Sequence, residues 1–313
     1  MSKRDLVSLH DWSAAELAAL LDQAADLKAK QRAGIPHALL PGETLALIFE
    51  KPSLRTRVTF EAGMTQLGGH AIYLAPQDIR LGERETVADG ARNLSRWVDG
   101  IVARTFRHQV VVELAEHASV PVINGLTDLL HPCQILVDLF TIREKRGDLT
   151  GCRVAFIGDG NNVANAWCTG AAKTGVDLTI ACPRGYEPDP SILHQAREDA
   201  KGTGACIQVL HDPAAAARGA DVIYTDVWTS MGQEEERAKR VKVFQPFQVN
   251  RALVSLARPD VLVMHCLPAH RGEEITDEVI DGPHSVVFDE AENKLHVQKA
   301  LLVALLGRQG GPR

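Results

Sequence analysis

Within "FEKPSLRTRVTFEAGMTQLGG", residues 49 to 69, three cations fall inside seven positions, Lys51, Arg55 and Arg57, directly after an apolar strand-like segment. Pro52 ends that segment, Ser53 is a favourable helix cap, and "LRTRVTFEAGMTQL" continues as a helix that Gly68 and Gly69 stop. A capping box would place Glu or Gln three residues past the cap, where this chain has Thr56. The helix start therefore brings no anion of its own. First-turn N–H groups, the positive end of the helix dipole, the hydroxyls of Ser53 and Thr56 and the Arg55 guanidinium together suit a phosphate dianion. The competing reading is an ordinary capped helix whose Arg55 and Arg57 face solvent or pair with Glu50 and Glu61. Spacing alone does not decide between them.

Four further stretches carry side chains suited to polar chemistry. Arg104 ends the strand-like "GIVAR", the position from which an α/β fold delivers a side chain to a ligand, although "ARTFRH" also reads as a solvated loop. His131 and Gln134 open a helix in "HPCQ"; a lone histidine is more often structural, but its place before a helix favours a functional role. Asp226 ends the strand "DVIYTD" and either binds a cation or caps the loop "VWTSMGQEEE", in which Met231 reads equally as a core plug. Cys266, in "MHCLPAHRG", sits at a strand end where a simple buried thiol is equally common.

"IGDGNNVANAW" begins a Gly-x-Gly-x-x-Gly fingerprint with Gly158 and Gly160, but Val163 takes the third glycine's place, with Ala164 after it. The next strand, "VDLTIACPRG", ends in Cys182, Pro183 and Arg184, with no acid to receive a ribose hydroxyl. A dinucleotide-dependent oxidoreductase is thereby disfavoured.

The elements that must position these residues alternate strand and helix. "TLALIFE", "HAIYL", "GIVAR" and "VPVING" come first, then "CRVAFIGD", "VDLTIAC", "CIQVL", "DVIYTD" and "VLVMHC". That alternation predicts an α/β protein of two domains, each an open, mostly parallel sheet covered by helices on both faces, with the active site in the cleft between them. "HPCQILVDLFTIREKRG" reads as a helix stopped at Gly147, which puts the domains at 1–147 and 148–290. "SVVFDE" reads as a last strand-like piece leading into "AENKLHVQKALLVALLG", a helix over about 291–313 expected to pack back on the first domain.

With 313 residues and 45% apolar content, the chain can fill two cores. Its 34 Lys plus Arg against 40 Asp plus Glu leave a net charge of −6 without long charge runs, which argues against nucleic acid or a membrane surface as the main partner. No segment approaches the roughly 20 apolar residues of a membrane span, so a cytosolic location is expected. The six cysteines are scattered, with no Cys-x-x-Cys pair, and read as reduced thiols rather than a zinc site or disulfide framework.

Taken in order, "SLRTR" at 53–57, "ART" at 103–105, "HPCQ" at 131–134, "DVWTSMG" at 226–232 and "HCLP" at 265–268 resemble the signatures of the aspartate and ornithine carbamoyltransferase family. The "SMG" loop and "HCLP" resemble its ornithine branch. The resemblance implies transfer of the carbamoyl group of carbamoyl phosphate to the δ-amine of L-ornithine, giving L-citrulline and phosphate, with neither metal nor organic cofactor. It implies that Ser53, Leu54 through its backbone, Arg55, Thr56 and Arg104 take the phosphate, while His131 and Gln134 address the carbamoyl group. The backbone of Cys266 and Leu267 would contact the same group, across a cis Leu267–Pro268 bond. Asn162 would bind the ornithine backbone, Asp226 its α-ammonium, and Ser230 and Met231 would complete that site. Arg55, Arg104, His131, Asp226 and Cys266 are thus the expected catalytic set. Because the attacking group is the substrate's own amine, Cys266 is not needed as a nucleophile.

Two positions depart from the family pattern: Arg80 stands where Gln or His is usual, and Lys294 where Arg is usual, a point charge in place of a fork. The resemblance further implies a homotrimer, or a multiple of trimers, in which the loop around Arg80 reaches a neighbour's phosphate site. Aspartate as acceptor would need cations for its second carboxylate, whereas the loop after Asp226 offers acids and hydroxyls. Alternatives are another amine acceptor, such as putrescine, and a catalytically silent binding protein of the same fold.

Overall fold

Both sheets of the protein are parallel throughout. The computed structural model describes residues 3–79, 81–229 and 234–307. It divides into two compact units, Met1–Phe140 with Glu292–Arg313, and Thr141–Ala291.

In the first unit, β1 (Thr44–Phe49), β2 (His70–Leu74), β3 (Gly100–Arg104) and β4 (Val122–Leu126) stand in the order β2-β1-β3-β4. All of β3, and β1 after Thr44, are buried, as near-continuous apolar runs covered on both faces should be, whereas the edge strand β2 is partly exposed. Phe49 lies opposite Arg104, and the Glu50 N–H donates to the Arg104 carbonyl at 2.8 Å. The chain order reverses between these two strands, so the turns after β1 and β3 open side by side. One core face joins Ile48, Leu94, Ile101, Val111 and Leu114.

Two helices of this unit differ instructively. The helix Ala14–Arg32 starts with a complete capping box between Ser13 and Glu16. Leu54–Gln66 starts at Ser53, whose Oγ accepts from the Thr56 N–H at 3.3 Å, and has no acidic residue in its first turn. The helix Val287–Leu306 joins this unit from Glu292 onward. There Leu295, Lys299 and Leu302 lie so close to Gly63 that a β-carbon at Gly63 would stand 3.3 Å from Lys299 Cγ.

In the second unit, β5 (Arg153–Ile157), β6 (Asp177–Ala181), β7 (Ile207–Leu210), β8 (Val222–Thr225) and β9 (Leu262–His265) stand in the order β7-β6-β5-β8-β9. Here the reversal falls between β5 and β8, so their following turns diverge at the sheet's carboxyl edge. Phe156 stacks on Tyr224 at 5.5 Å and fastens these central strands to each other.

One expected element is corrected. "SVVFDE" is not a strand: Ser285 makes an isolated bridge to Val263 and the helix already begins at Val287. A short apolar run has no period of its own, and Asp289 and Glu290 in the first turn favour a helix start. Among the described residues, no helix is long and apolar enough to cross a membrane.

Candidate active site

The first unit gathers its polar groups behind β1, β3 and β4. Of the three cations that open the helix region, Lys51 is buried over the Phe106 ring at 4.3 Å. Arg57 pairs with Glu61 at 2.9 Å and stacks on Tyr73 at 3.4 Å. Arg55 is the cation at the acid-free helix start, beside the buried Thr56. Leu54 points its side chain outward with 74% of it exposed, leaving its backbone N–H as the group it brings to the helix start. Arg104 is buried at the end of β3.

His131 is buried immediately before the helix Pro132–Arg146. Burial, and then the nearby cations Lys294 and Arg104, hold its ring well below the ordinary histidine value, so it is neutral at physiological pH. Among the described residues its Nδ1 has no hydrogen-bond partner, a costly state for a buried ring nitrogen and one that a substrate atom would relieve. Gln134 is held from both sides: its Nε2 donates to Asp138 Oδ1 at 2.8 Å, and Lys294 Nζ donates to its Oε1 at 2.6 Å. These contacts allow one orientation of the carboxamide. The Lys294 ammonium thus acts on Gln134, and Asp138, fully buried, supplies carboxylate to a cation-rich neighbourhood. The same burial pushes the Cys133 thiol up to about 12, which keeps it protonated.

In the second unit three loops meet on one carboxylate. Asp226, buried just past β8, accepts from the Val227 N–H and from the Cys266 thiol on Oδ1, and from Asn161 Nδ2 on Oδ2. Asn161 is also the N-cap of the helix Asn162–Thr174, its Oδ1 accepting from Val163 and Ala164. Asn162 is the first residue of that helix and half-buried. The Leu267–Pro268 bond is cis, and Leu267 has a left-handed φ of 54°.

Gly160 is required by the chain's own backbone: a β-carbon there would stand 2.4 Å from Glu187 C and Pro188 N. The glycine-rich turn therefore serves internal packing. Beside it, burial pushes the Asp159 carboxyl up to about 7 despite its ion pair with Arg240. Arg240 also donates to the Trp228 carbonyl, fastening the loop that follows Asp226.

Asp226, His265 and Cys266 bring ligand-type atoms within 4.8 Å of one another. Both His265 ring nitrogens are committed, however, Nδ1 to the Leu267 N–H and Nε2 to Glu274, so the trio offers no complete metal donor set. In the second such group, His270, Glu273 and Glu274, the two acids are engaged by Arg237 and His265.

The structure thus brings Ser53, Thr56 and Arg55 to one helix start, Arg104, His131, Gln134 and Lys294 to one buried group, and Asp226 and Cys266 to another. Arg80, Ser230 and Met231 lie outside the described residues. Sequence reasoning missed Asn161, Asp138 and Glu274. Asn161 carried a usable signal, since asparagine ahead of a helix is a strong cap.

Family models match the two halves of the chain. The aspartate/ornithine carbamoyltransferase carbamoyl-P binding domain matches residues 4–144, and the Asp/Orn binding domain of the same enzymes matches residues 150–305. The ornithine carbamoyltransferase of Pyrococcus abyssi is 56% identical over 97% of this chain and 96% of its own length. The solved ornithine carbamoyltransferase of Pyrococcus furiosus superposes with a TM-score of 0.96 at 54% identity, covering 98% of each chain. That of Gloeobacter violaceus superposes with a TM-score of 0.88 at 49% identity, covering 98% of this chain and 100% of its own.

Proposed function

The chain belongs to the aspartate/ornithine carbamoyltransferase family, and from that premise we propose how its residues divide the work. It is an enzyme that transfers the carbamoyl group of carbamoyl phosphate to L-ornithine.

Carbamoyl phosphate is held by the first unit. Its phosphate sits on the N–H groups of Leu54 and Arg55, the hydroxyls of Ser53 and Thr56, and the guanidinium groups of Arg55 and Arg104. The neutral ring of His131 and the fixed carboxamide of Gln134 take the carbamoyl oxygen and amide. Lys294 supports this group through Gln134. Ornithine is held by the second unit, its α-ammonium on Asp226 with Asn161 and Asn162 alongside.

The neutral δ-amine attacks the carbamoyl carbon and forms the C–N bond. The oxyanion that develops is stabilised by Arg104 and His131, placed before the charge appears. The C–O bond to phosphate then breaks, its electron pair leaving on a phosphate clamped at the helix start, and the amine passes its proton to that departing phosphate. The backbone of Cys266 and Leu267 bounds the carbamoyl group. Its thiol, donating to Asp226, orients the carboxylate rather than attacking.

The observation that carries the choice of acceptor is the Asp226 carboxylate, ringed by neutral donors from Asn161, Val227 and Cys266. It suits an ammonium group and offers nothing to the second carboxylate of aspartate. Rates of carbamoyl phosphate consumption with L-ornithine, putrescine and L-aspartate test this: ornithine should be preferred by about a hundredfold or more. Putrescine as the better acceptor would overturn the assignment.

The working assembly is a homotrimer or a multiple of trimers. Supporting this are the apolar side chains left 74%, 50% and 41% exposed at Leu54, Val58 and Ile72 on one helix and the edge strand β2. Arg80 would then serve a neighbour's phosphate. Sedimentation velocity of the purified protein reads the assembly directly, and a monomer at micromolar concentration would remove this part of the reading. A cytosolic location accords with two small, polar, water-soluble substrates.

A further inference from the structure

Leu267 holds a left-handed backbone, φ 54°, a conformation that a side-chain-bearing residue rarely adopts unless its surroundings impose it. The imposing contact is unambiguous. The Leu267 N–H donates to His265 Nδ1 at 2.8 Å, which requires that nitrogen to be unprotonated. The ring proton of His265 is then on Nε2, which lies 3.0 Å from Glu274 Oε1. The same Glu274 oxygen accepts from the His270 N–H at 2.6 Å. One carboxylate oxygen therefore ties both ends of the segment 265–270. His265 and Glu274 are both fully buried, and the Glu274 carbonyl is itself anchored by the Val249 N–H at 2.8 Å. His265 is held at a third point, where its N–H donates to Glu290 at 3.1 Å.

We propose that Glu274 and His265 are positioning residues for carbamoyl transfer: Glu274 selects the Nε2–H tautomer of His265, and that tautomer fixes the Leu267 N–H and with it the Cys266–Leu267 corner. The opposite tautomer would turn an N–H against the Leu267 N–H and release the corner. Both side chains are fully buried. Their effect is exerted through the direction of the Cys266 thiol, 3.0 Å from Asp226, and of the Leu267 backbone. The inference rests on the reading that this corner serves the reaction.

The test compares Glu274→Ala with Glu274→Gln in the full-length enzyme, by initial rates and thermal melting. Glutamine keeps a carbonyl oxygen where His265 and the His270 N–H need one, whereas alanine removes it. Glu274→Ala should lower kcat by about tenfold to a hundredfold while the KM for carbamoyl phosphate, held by other residues, stays within about threefold of wild type. Glu274→Gln should recover kcat to within about threefold of wild type by keeping the acceptor. Equal loss in both variants, or full turnover in a folded Glu274→Ala, would overturn the proposal. If the alanine variant does not fold, nitrogen NMR of 15N-histidine-labelled wild type decides: Nδ1 of His265 must resonate as unprotonated and Nε2 as protonated, and the reverse overturns the proposal. Leu267→Gly separates the two levels of argument. If freeing the corner in this way leaves kcat unchanged, the reading of the corner itself fails; if it lowers kcat while Glu274→Ala does not, only the positioning role fails.

Discussion

The thiol of Cys266 donates to Oδ1 of Asp226 at 3.0 Å, while Asn161 donates to the other oxygen at 2.8 Å. The carboxylate is therefore aimed by two neutral donors from separate loops before any substrate ammonium arrives. Asp226→Asn removes the charge and leaves an amide that cannot accept on both sides. The KM for ornithine should rise by about a hundredfold, with the KM for carbamoyl phosphate within about threefold of wild type. Equal rises in both constants would show that Asp226 supports the fold rather than the amino acid.

The two arginines of "SLRTR" should separate cleanly. Arg57 is occupied by Glu61 and Tyr73, an exposed pairing of modest worth, so Arg57→Ala should keep turnover within about tenfold. Arg55→Ala should lose about a thousandfold while remaining folded, because Arg55 brings its guanidinium to an acid-free helix start whose other arginine, Arg57, is already engaged by Glu61. Matched turnover in the two variants would refute the assigned phosphate grip.

Lys294 and Gln134 should act as one unit, given the 2.6 Å bond between them. Lys294→Met and Gln134→Ala should each lower turnover by about a hundredfold, and the double variant should be little worse than either. Additive losses in this cycle would mean that Lys294 works independently of the carboxamide.

Stability should depend on pH through His131. Its ring titrates well below the ordinary value in the folded protein, so beneath about pH 6.5 the unfolded chain binds a proton that the folded chain refuses. Stability is therefore lost as pH falls from about 6.5 towards the folded value. His108, also lowered by burial, contributes in the same direction. Melting temperatures between pH 7.5 and 5 should fall less steeply for His131→Asn than for wild type; parallel curves would contradict a neutral, buried His131.

With His131 neutral across the assay range, the rate with ornithine should follow deprotonation of the amine. A free aliphatic amine titrates near 10.4 by analogy with lysine, so kcat/KM should climb between about pH 6 and 8. A flat profile under conditions where chemistry limits the rate would rule out attack by the neutral amine.

Much of this protein was readable along the chain, because the relevant forces act over a few residues. Apolar runs bounded by turn residues located β1 to β9, and Ser53 with Thr56 marked a helix start lacking its acid. Where periodicity was too short to distinguish helix from strand, at "SVVFDE", the reading went astray. The pairings that arm the candidate site were of another kind. Lys294 meets Gln134 across 160 positions of sequence, Asn161 meets Asp226 across 65, and Cys266 meets Asp226 across 40. No local propensity encodes such contacts. The last two arise because parallel strands return the chain to the same sheet edge, the first because the helix Val287–Leu306 joins the first unit, and in each case burial leaves polar groups needing a partner that only the folded chain supplies. The sequence alone therefore determined which residue types stand at the strand ends, while tertiary packing decided which of them hold one another, which tautomer His265 adopts, and that Arg57 is engaged by Glu61 and Tyr73.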